Sequence, residues 1–501
     1  MCRGAFLIDT TKPPGGLRRC PGGRKQPVRE VRRMRQKRAC GPDKEMLCAI
    51  LALGGPTMLE RMMQTAVQYI DTAMVGVLGT AAVAAVGATG TISWLVSDTL
   101  GAVGLGFLAY IARSFGAGDG EGARRAAAQA VLVTLVTGGI TTALALGLSR
   151  KIPVWMQTPA AVQDMAARYF FILYLPMLFR SASTIFGTVL RAAGDTQTPM
   201  RVGILVNLVN VVLNFFFIYP ARRLHLPGMA VPVWGAGWGV LGAAAASAVS
   251  YTVGGICITA ALYRHPRVSP AGRSLRPDGS ILRPCLKVTV PNLGQRFATS
   301  LGFVAFASMI NALGEAAAAA HTIANTVESA FYIPGHGMET AASTLTGNAY
   351  GAGDDRQMRR MAKNLLWLEV GLMAVSGGLL FVTAPYLMGV FSRSGDVIRL
   401  GTTVLRMVAV SEPFFGFYII VQGMLLGVGQ TRRPFVYGVA GMWLVRILGT
   451  FVCTRLLHMG LVSAWACMIA HNLVMFVLYL RCYRSGSWNP LQGRQGRPAA
   501  P

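Results

Sequence analysis

Twelve apolar stretches, each about 20–30 residues long, dominate what this chain can fold into. They fall near residues 46–78, 81–112, 126–148, 163–190, 199–219, 236–262, 284–311, 316–347, 361–383, 397–426, 434–457 and 459–481, and ~20 apolar residues suffice to cross a bilayer. The bilayer core offers the backbone no water, so such stretches must satisfy their hydrogen bonds internally, as helices. Composition agrees. Hydrophobic residues make up 53% of the chain and charged residues 13%, whereas soluble domains carry roughly 25% charged residues. A length of 501 residues would by itself suit about three soluble domains, but a soluble enzyme, a disordered chain and a secreted disulfide scaffold are all excluded.

The net charge of +27 invites a nucleic-acid reading, and its distribution argues against one. With both termini on one side, the termini and the connections near 113–125, 191–201, 264–287, 356–363 and 432–433 hold 34 Lys/Arg, and the opposite connections about 7. Basic connections stay in the cytoplasm. Both termini are therefore expected there, in a multi-pass protein of the plasma (inner) membrane. Membrane lipids are expected partners, nucleic acid is not, and the protein is expected to be a monomer. Residues 1–45 hold 13 Lys/Arg and 4 Asp/Glu with no apolar core, and read as a disordered tail. Two accounts of it stay open: an anionic-lipid-binding arm, or a start set too early, with Met34 or Met46 the true beginning. The nine cysteines are scattered without metal or disulfide spacing.

Sliding the chain against itself by 235 residues reveals an internal repeat. Pro56 meets Pro291, Arg61 meets Arg296, and Leu78-Gly79 meets Leu313-Gly314. Gly116-Ala117-Gly118-Asp119 meets Gly351-Ala352-Gly353-Asp354, Arg124-Arg125 meets Arg359-Arg360, and Leu190, Gly194, Thr196 and Pro199 meet Leu425, Gly429, Thr431 and Pro434. Six spans per copy leave both copies in the same orientation, so the repeat is parallel. The expected fold is an all-α polytopic membrane protein, with twelve transmembrane helices in two six-helix lobes related by that repeat. Its parts are a tail (1–45), an N-lobe of helices 1–6 (46–263), a basic cytoplasmic linker (264–283), a C-lobe of helices 7–12 (284–482) and a C-terminal tail (483–501). Such paired bundles commonly bind substrate between the repeats and expose it alternately to each side, which makes the chain a transporter and not an enzyme.

The residues now carry a resemblance. Ile70-Asp71-Thr72-Ala73-Met74-Val75-Gly76, Gly116-Ala117-Gly118-Asp119, Leu190-Arg191-Ala192-Ala193-Gly194-Asp195-Thr196, and Asn207, Asn210 and Asn214 before Phe217-Ile218-Tyr219 together resemble the multidrug and toxic compound extrusion (MATE) family of secondary antiporters. The resemblance covers about residues 46–482. It implies xenobiotic export of organic, often cationic, amphipathic small molecules in exchange for inward H⁺ or Na⁺. It also implies two lobes that rock between outward- and inward-facing states. No cofactor is expected, and no metal beyond Na⁺.

Asp71 is the leading site residue, because a carboxylate within a span costs a few kcal/mol and should face the bundle interior. Glu60, Gln64, Gln68 and Asp71 recur at i+4, i+4 and i+3, a polar stripe within an arc of about 80°. The resemblance assigns the coupling cation or proton to Asp71, with Asn210, Asn214 and Ser247 completing an N-lobe site. Structural hydrogen bonding between helices is the alternative. Some family members carry an aspartate at the place of Asn214, so this site has one negative charge fewer. In the C-lobe, His321, Glu328 and Glu339 share one face of the eighth span, with a Pro334-Gly335 break between them, and His336 lies about 60° round. Glu412 precedes Pro413 in the tenth span. These form a candidate proton site, or else ion pairs with Arg406, Arg446 or Arg296. Asp98 and Arg180 read as a charge pair.

Two other functions compete. A flippase for a lipid-linked polyprenyl substrate would share the duplicated architecture, but the inward stripes here carry Asp, Glu, Gln and Asn rather than a basic cluster. An intramembrane metalloenzyme would need His321, Glu328, His336 and Glu339 to converge.

Overall fold

The computed structural model describes residues 44–492 apart from 157, 227 and 228. The proposed N-terminal tail thus lies, but for its last two residues, outside the described residues. Twelve spans follow: α1 (Lys44–Gly76), α2 (Thr80–Gly116), α3 (Gly120–Leu148), α4 (Ala160–Tyr174 and Met177–Ala192), α5 (Gln197–Phe217), α6 (Gly239–Arg264), α7 (Gly279–Asn311), α8 (Glu315–Ala352), α9 (Asp355–Phe391), α10 (Gly395–Gly427), α11 (Arg432–Leu456) and α12 (Leu461–Arg484). The halves of α4 meet at a 50° bend beside Pro176, which cannot supply a backbone donor. Among the described residues, nine spans pass as membrane helices by length and hydropathy, and α4 makes a tenth. The two that fall short, α7 and α8, are 33 and 38 residues long. They pack against α2 and α1 of the other lobe, so they need not be apolar all round.

The repeat is written into the backbone. Gly79 and Gly314 (φ 105° and 106°), Gly118 and Gly353 (75° and 70°), and Gly194 and Gly429 (88° and 80°) take matching left-handed conformations that only glycine adopts freely. After Gly118, Asp119 caps α3 by accepting from the Gly122 amide at 2.7 Å. After Gly353, Asp354 caps α9 by accepting from the Gln357 amide at 2.9 Å. These turns therefore end one helix and begin the next. Thr196 Oγ1 donates to Ala52 O (3.3 Å) and Thr431 Oγ1 to Lys287 O (3.2 Å), repeat-related donors bonding repeat-related acceptors.

The lobes meet through contacts that are also paired by the repeat. Gly116 lies directly on the Asn348 carbonyl, and Gly351 on the Arg113 carbonyl. Gly106 faces Thr289 and Gly54 faces Ala341. Each contact becomes its mate when 235 is added to or taken from both numbers, which is what a pseudo-twofold axis along the membrane normal produces. At Gly116 and Gly351 even a methyl group would overlap neighbouring backbone. The lobes are thus closed on each other at the end that carries the basic connections. Gly116→Val or Gly351→Val should push them apart there by roughly 2–4 Å, since packed interfaces absorb little extra volume. Spin labels on Arg125 and Arg360 would read this, and an unchanged distance would show that the contact does not hold the closed end.

Two features were not anticipated. Between α5 and α6 stands an antiparallel hairpin, β1 (Pro220–Leu226) and β2 (Met229–Ala236). At its base the Arg222 guanidinium covers Tyr219 (4.3 Å) and Phe215 (4.4 Å). Beyond α12, residues expected in the C-terminal tail fold back on the C-lobe. Trp488 is buried, Asn489 donates to Asp355 (2.6 Å), and Arg433 donates to Ser487 O (2.9 Å). The 264–283 segment is pinned to α3 by Arg124 to Pro266 O (2.9 Å), Gln129 to Arg276 O (2.8 Å) and the Arg273–Glu121 pair (2.6 Å). Its last part already belongs to α7, which starts at Gly279. Asp278 caps that helix. The Ser280 hydroxyl and amide bond its carboxylate and hold it below the ordinary range.

Candidate functional site

The N-lobe brings four expected residues together. Asp71 projects from α1. Asn210 and Asn214 stand one turn apart on α5 and are buried, and Ser247 comes from α6. Asn214 Nδ2 donates to Asp71 Oδ1 at 2.6 Å and to Asn210 Oδ1 at 3.2 Å, while Asn210 Nδ2 donates to Ser247 Oγ at 3.0 Å. Turned over, the Asn210 amide instead donates to Asp71 Oδ1 (2.8 Å) and Oδ2 (3.2 Å) and accepts from Ser247 Oγ (3.0 Å). The turned form suits a charged Asp71 and the unturned form a protonated one, because an amide offers a donor on one side and an acceptor on the other. Asn214 Oδ1 is buried without a partner, and so is Nδ2 of Asn207, two turns earlier on α5.

The polar stripe of α1 does not act as one unit. Glu60 is locked to Arg191 of α4 at 2.9 Å, with side-chain exposures of 12% and 10%. Gln64 and Gln68 are exposed. An arc of about 80° is wide enough to be divided between neighbouring helices, and α5 closes on Glu60 at Gly203. The expected Asp98–Arg180 pair is also absent. Arg180 donates to Ser97 Oγ (2.7 Å), and Asp98 pairs with Arg296 of the other lobe (3.1 Å). One residue step turns a helix by about 100°, so Ser97 faces α4 while Asp98 faces α7.

The C-lobe set separates as well. α8 runs unbroken through Pro334, yet His321 and Glu339, aligned in rotation, lie about 27 Å apart along the axis. His321 packs edge-on against Phe306 (5.7 Å) and Trp465 (5.8 Å). Glu339 meets His336 Nδ1 (3.2 Å) and accepts from Gln422 Nε2 (3.1 Å), whose Oε1 accepts from Tyr479 Oη (3.0 Å). Among the described residues, no three His, Cys, Asp or Glu side chains form a metal-binding group. Among the described residues, none of the arginines expected as ion-pair partners makes a salt bridge to these acids. Arg446 lies over Phe306 (4.2 Å), Arg406 over Phe381 (5.3 Å), and Arg296 is on Asp98.

What the C-lobe does assemble is a buried acidic group around Glu328 (α8), Glu412 (α10) and a residue the sequence reading missed, Glu369 (α9). All three are buried, and both oxygens of Glu369 and Oε2 of Glu412 lack partners. Glycines make the room. A Cβ at Gly335 would lie 2.8 Å from Glu369 Oε1, and one at Gly377 3.1 Å from Glu412 Cβ. Buried Arg446 stands near Glu328 on the π-helical turn Gly441–Ile447 of α11, a distortion frequent at functional sites. The signal for Glu369 was available: the one carboxylate in the apolar stretch 361–383.

With this geometry in view, likeness to known proteins becomes informative. The MatE family model matches residues 56–216 and again 291–452, two matches that begin one repeat length apart. The chain is 27% identical over 439 residues to a probable multidrug resistance protein NorM of Thermotoga maritima, covering 88% of this chain and 92% of that protein. It is 24% identical to a probable multidrug resistance protein YpnP of Bacillus subtilis, covering 87% and 94%. Its fold superposes on a solved outward-facing multidrug resistance MATE family transporter with a TM-score of 0.82 at 22% identity, covering 89% and 97%. The chain therefore belongs to the MatE family and is a multi-pass membrane transporter, not an enzyme.

Proposed function

We propose that this protein exports organic amphiphilic compounds from the cytoplasm in exchange for an inward-moving cation, and that the cation is H⁺. The observation that carries this reading is the single carboxylate of Asp71 set among Asn210, Asn214 and Ser247. A Na⁺ site draws on several oxygen ligands and some formal negative charge. Here one carboxylate is served by amides able to bond it in either protonation state, which favours a proton. The names of the relatives, probable multidrug resistance proteins, support drug-like substrates. Closure of the lobes at the basic end, placed in the cytoplasm by the Lys/Arg asymmetry, makes this the outward-facing state. In it Asp71 would take up a proton from the outside as substrate is released there, and give that proton up to the cytoplasm once the lobes have changed over.

Everted vesicles test this directly. An imposed ΔpH, acid inside, should drive uptake of fluorescent organic dyes with Na⁺ absent, and an imposed ΔNa⁺ with ΔpH collapsed should not. Uptake under ΔNa⁺ alone would overturn the proton assignment while leaving export intact.

A further inference from the structure

Helix α1 meets α8 across the lobe boundary along one face. Gly54 lies against Met338, Met58 against Gly337, and Tyr69 Oη reaches Ser329 Oγ (3.0 Å) and Thr326 O (3.2 Å). Arg61 is three residues beyond Met58, within about 60° of it round the helix. Its repeat mate Arg296 stands in the same relation to α2 and is paired there, donating to Asp98 (3.1 Å), and also to Asn292 of its own helix (3.0 Å). The position that repeats Asp98 is Ile333. Duplication has kept the arginine and not its carboxylate.

Arg61 is exposed. Among the described residues, its one hydrogen bond outside the helix backbone is at its carbonyl, from Thr65 Oγ1 (3.2 Å). The charged groups around its guanidinium are Glu60, Arg191, Arg296 and Glu339. Both carboxylates are taken, Glu60 by Arg191 (2.9 Å) and Glu339 by His336 (3.2 Å) and Gln422 (3.1 Å). The surrounding pairs stay open to solvent at mid-span, with Arg296 and Asp98 side chains 38% and 31% exposed and His336 45% exposed. An unpaired cation within a span belongs in such a water-accessible cavity. Its planar fork of N–H donors matches a carboxylate in two parallel bonds.

We propose that Arg61 anchors the carboxylate of an aromatic amphiphile held between the lobes. One guanidinium balances one carboxylate, whereas a diphosphate would call for a cluster. Tyr332 and Phe415, each 5.9 Å from the His336 ring, supply an apolar face beside that histidine on the same inter-lobe side of α8. What happens to the bound compound rests on the export reading above; the binding itself does not.

The test uses a rhodamine with a free carboxylate and its ester, titrated by fluorescence anisotropy onto the purified full-length protein and supplied to everted vesicles. Wild type should bind the acid more tightly than the ester. Arg61→Gln should weaken the acid about tenfold and leave the ester within about twofold, with Arg61→Lys in between. Retained ester binding shows that Arg61→Gln is folded. If that variant fails to fold, the wild-type acid-to-ester ratio and Arg61→Lys decide. Equal loss of both dyes would make Arg61 a gating residue and overturn the proposal, as would an ester preference in wild type or no binding of either dye. Acid-selective binding without uptake of either dye would instead overturn export and leave this site standing.

Discussion

Asp71→Asn should reach the membrane at normal abundance and lose uphill transport completely, so that dye in everted vesicles stops at equilibrium whatever ΔpH is imposed. The substitution keeps the shape of the side chain and an acceptor for the Asn214 amide, which bonds Asp71 at 2.6 Å. It removes only the ability to be charged in one state and neutral in the other. Without that change no free energy passes from the ion gradient to the substrate, because a ligand acts on a conformational equilibrium only through its differential affinity for the two states. Downhill exchange should survive. Asn214→Asp adds a second carboxylate beside the first and should shift the drive towards Na⁺, read as Na⁺-dependent uptake with ΔpH collapsed. Uphill transport by Asp71→Asn at the wild-type level would remove Asp71 from the mechanism.

Arg191→Ala should cost about 3 kcal/mol of stability, at the low end of the range for breaking a buried ion pair. Glu60 would be left charged between α1, α4 and α5 with its side chain 12% exposed and without a salt-bridge partner, Arg61 standing near but unpaired with it. Glu60→Ala should cost a similar amount by stranding Arg191, whose Nε is already buried without a partner. The double variant Glu60→Met/Arg191→Met should recover most of the loss, since packed apolar side chains commonly replace a buried pair at little cost. Thermal unfolding of the detergent-purified proteins gives the cycle. If the single variants are as stable as wild type, the pair does not hold α1 to α4.

The N-lobe site was legible because its parts lie one helical turn apart. Asn210 and Asn214 share a face of α5 by spacing alone, and a carboxylate in a span marks itself. The C-lobe was misread for reasons that are equally physical. Helical spacing gives rotation and not height, so His321 and Glu339 looked like partners although many residues of axis separate them. Glu369 is one acid in an apolar run, a plain signal of a buried functional carboxylate, but it has no helical-spacing partner on its own span to single it out. Asp98 was matched with the wrong arginine, because a sequence cannot say which lobe an inward face will meet.

The sequence by itself determined the twelve spans, their parallel duplication and the turns between them. These depend on apolar length and on glycine, proline and aspartate chemistry that acts over a few residues. Only the tertiary structure decided which side chains meet. Glu60 went to Arg191, Asp98 to Arg296 and Glu339 to Gln422, and Arg61 was left without a carboxylate. Those pairings are set by how six-helix lobes pack and close on each other, where a rotation of about 100° or a rise of one turn selects a different partner.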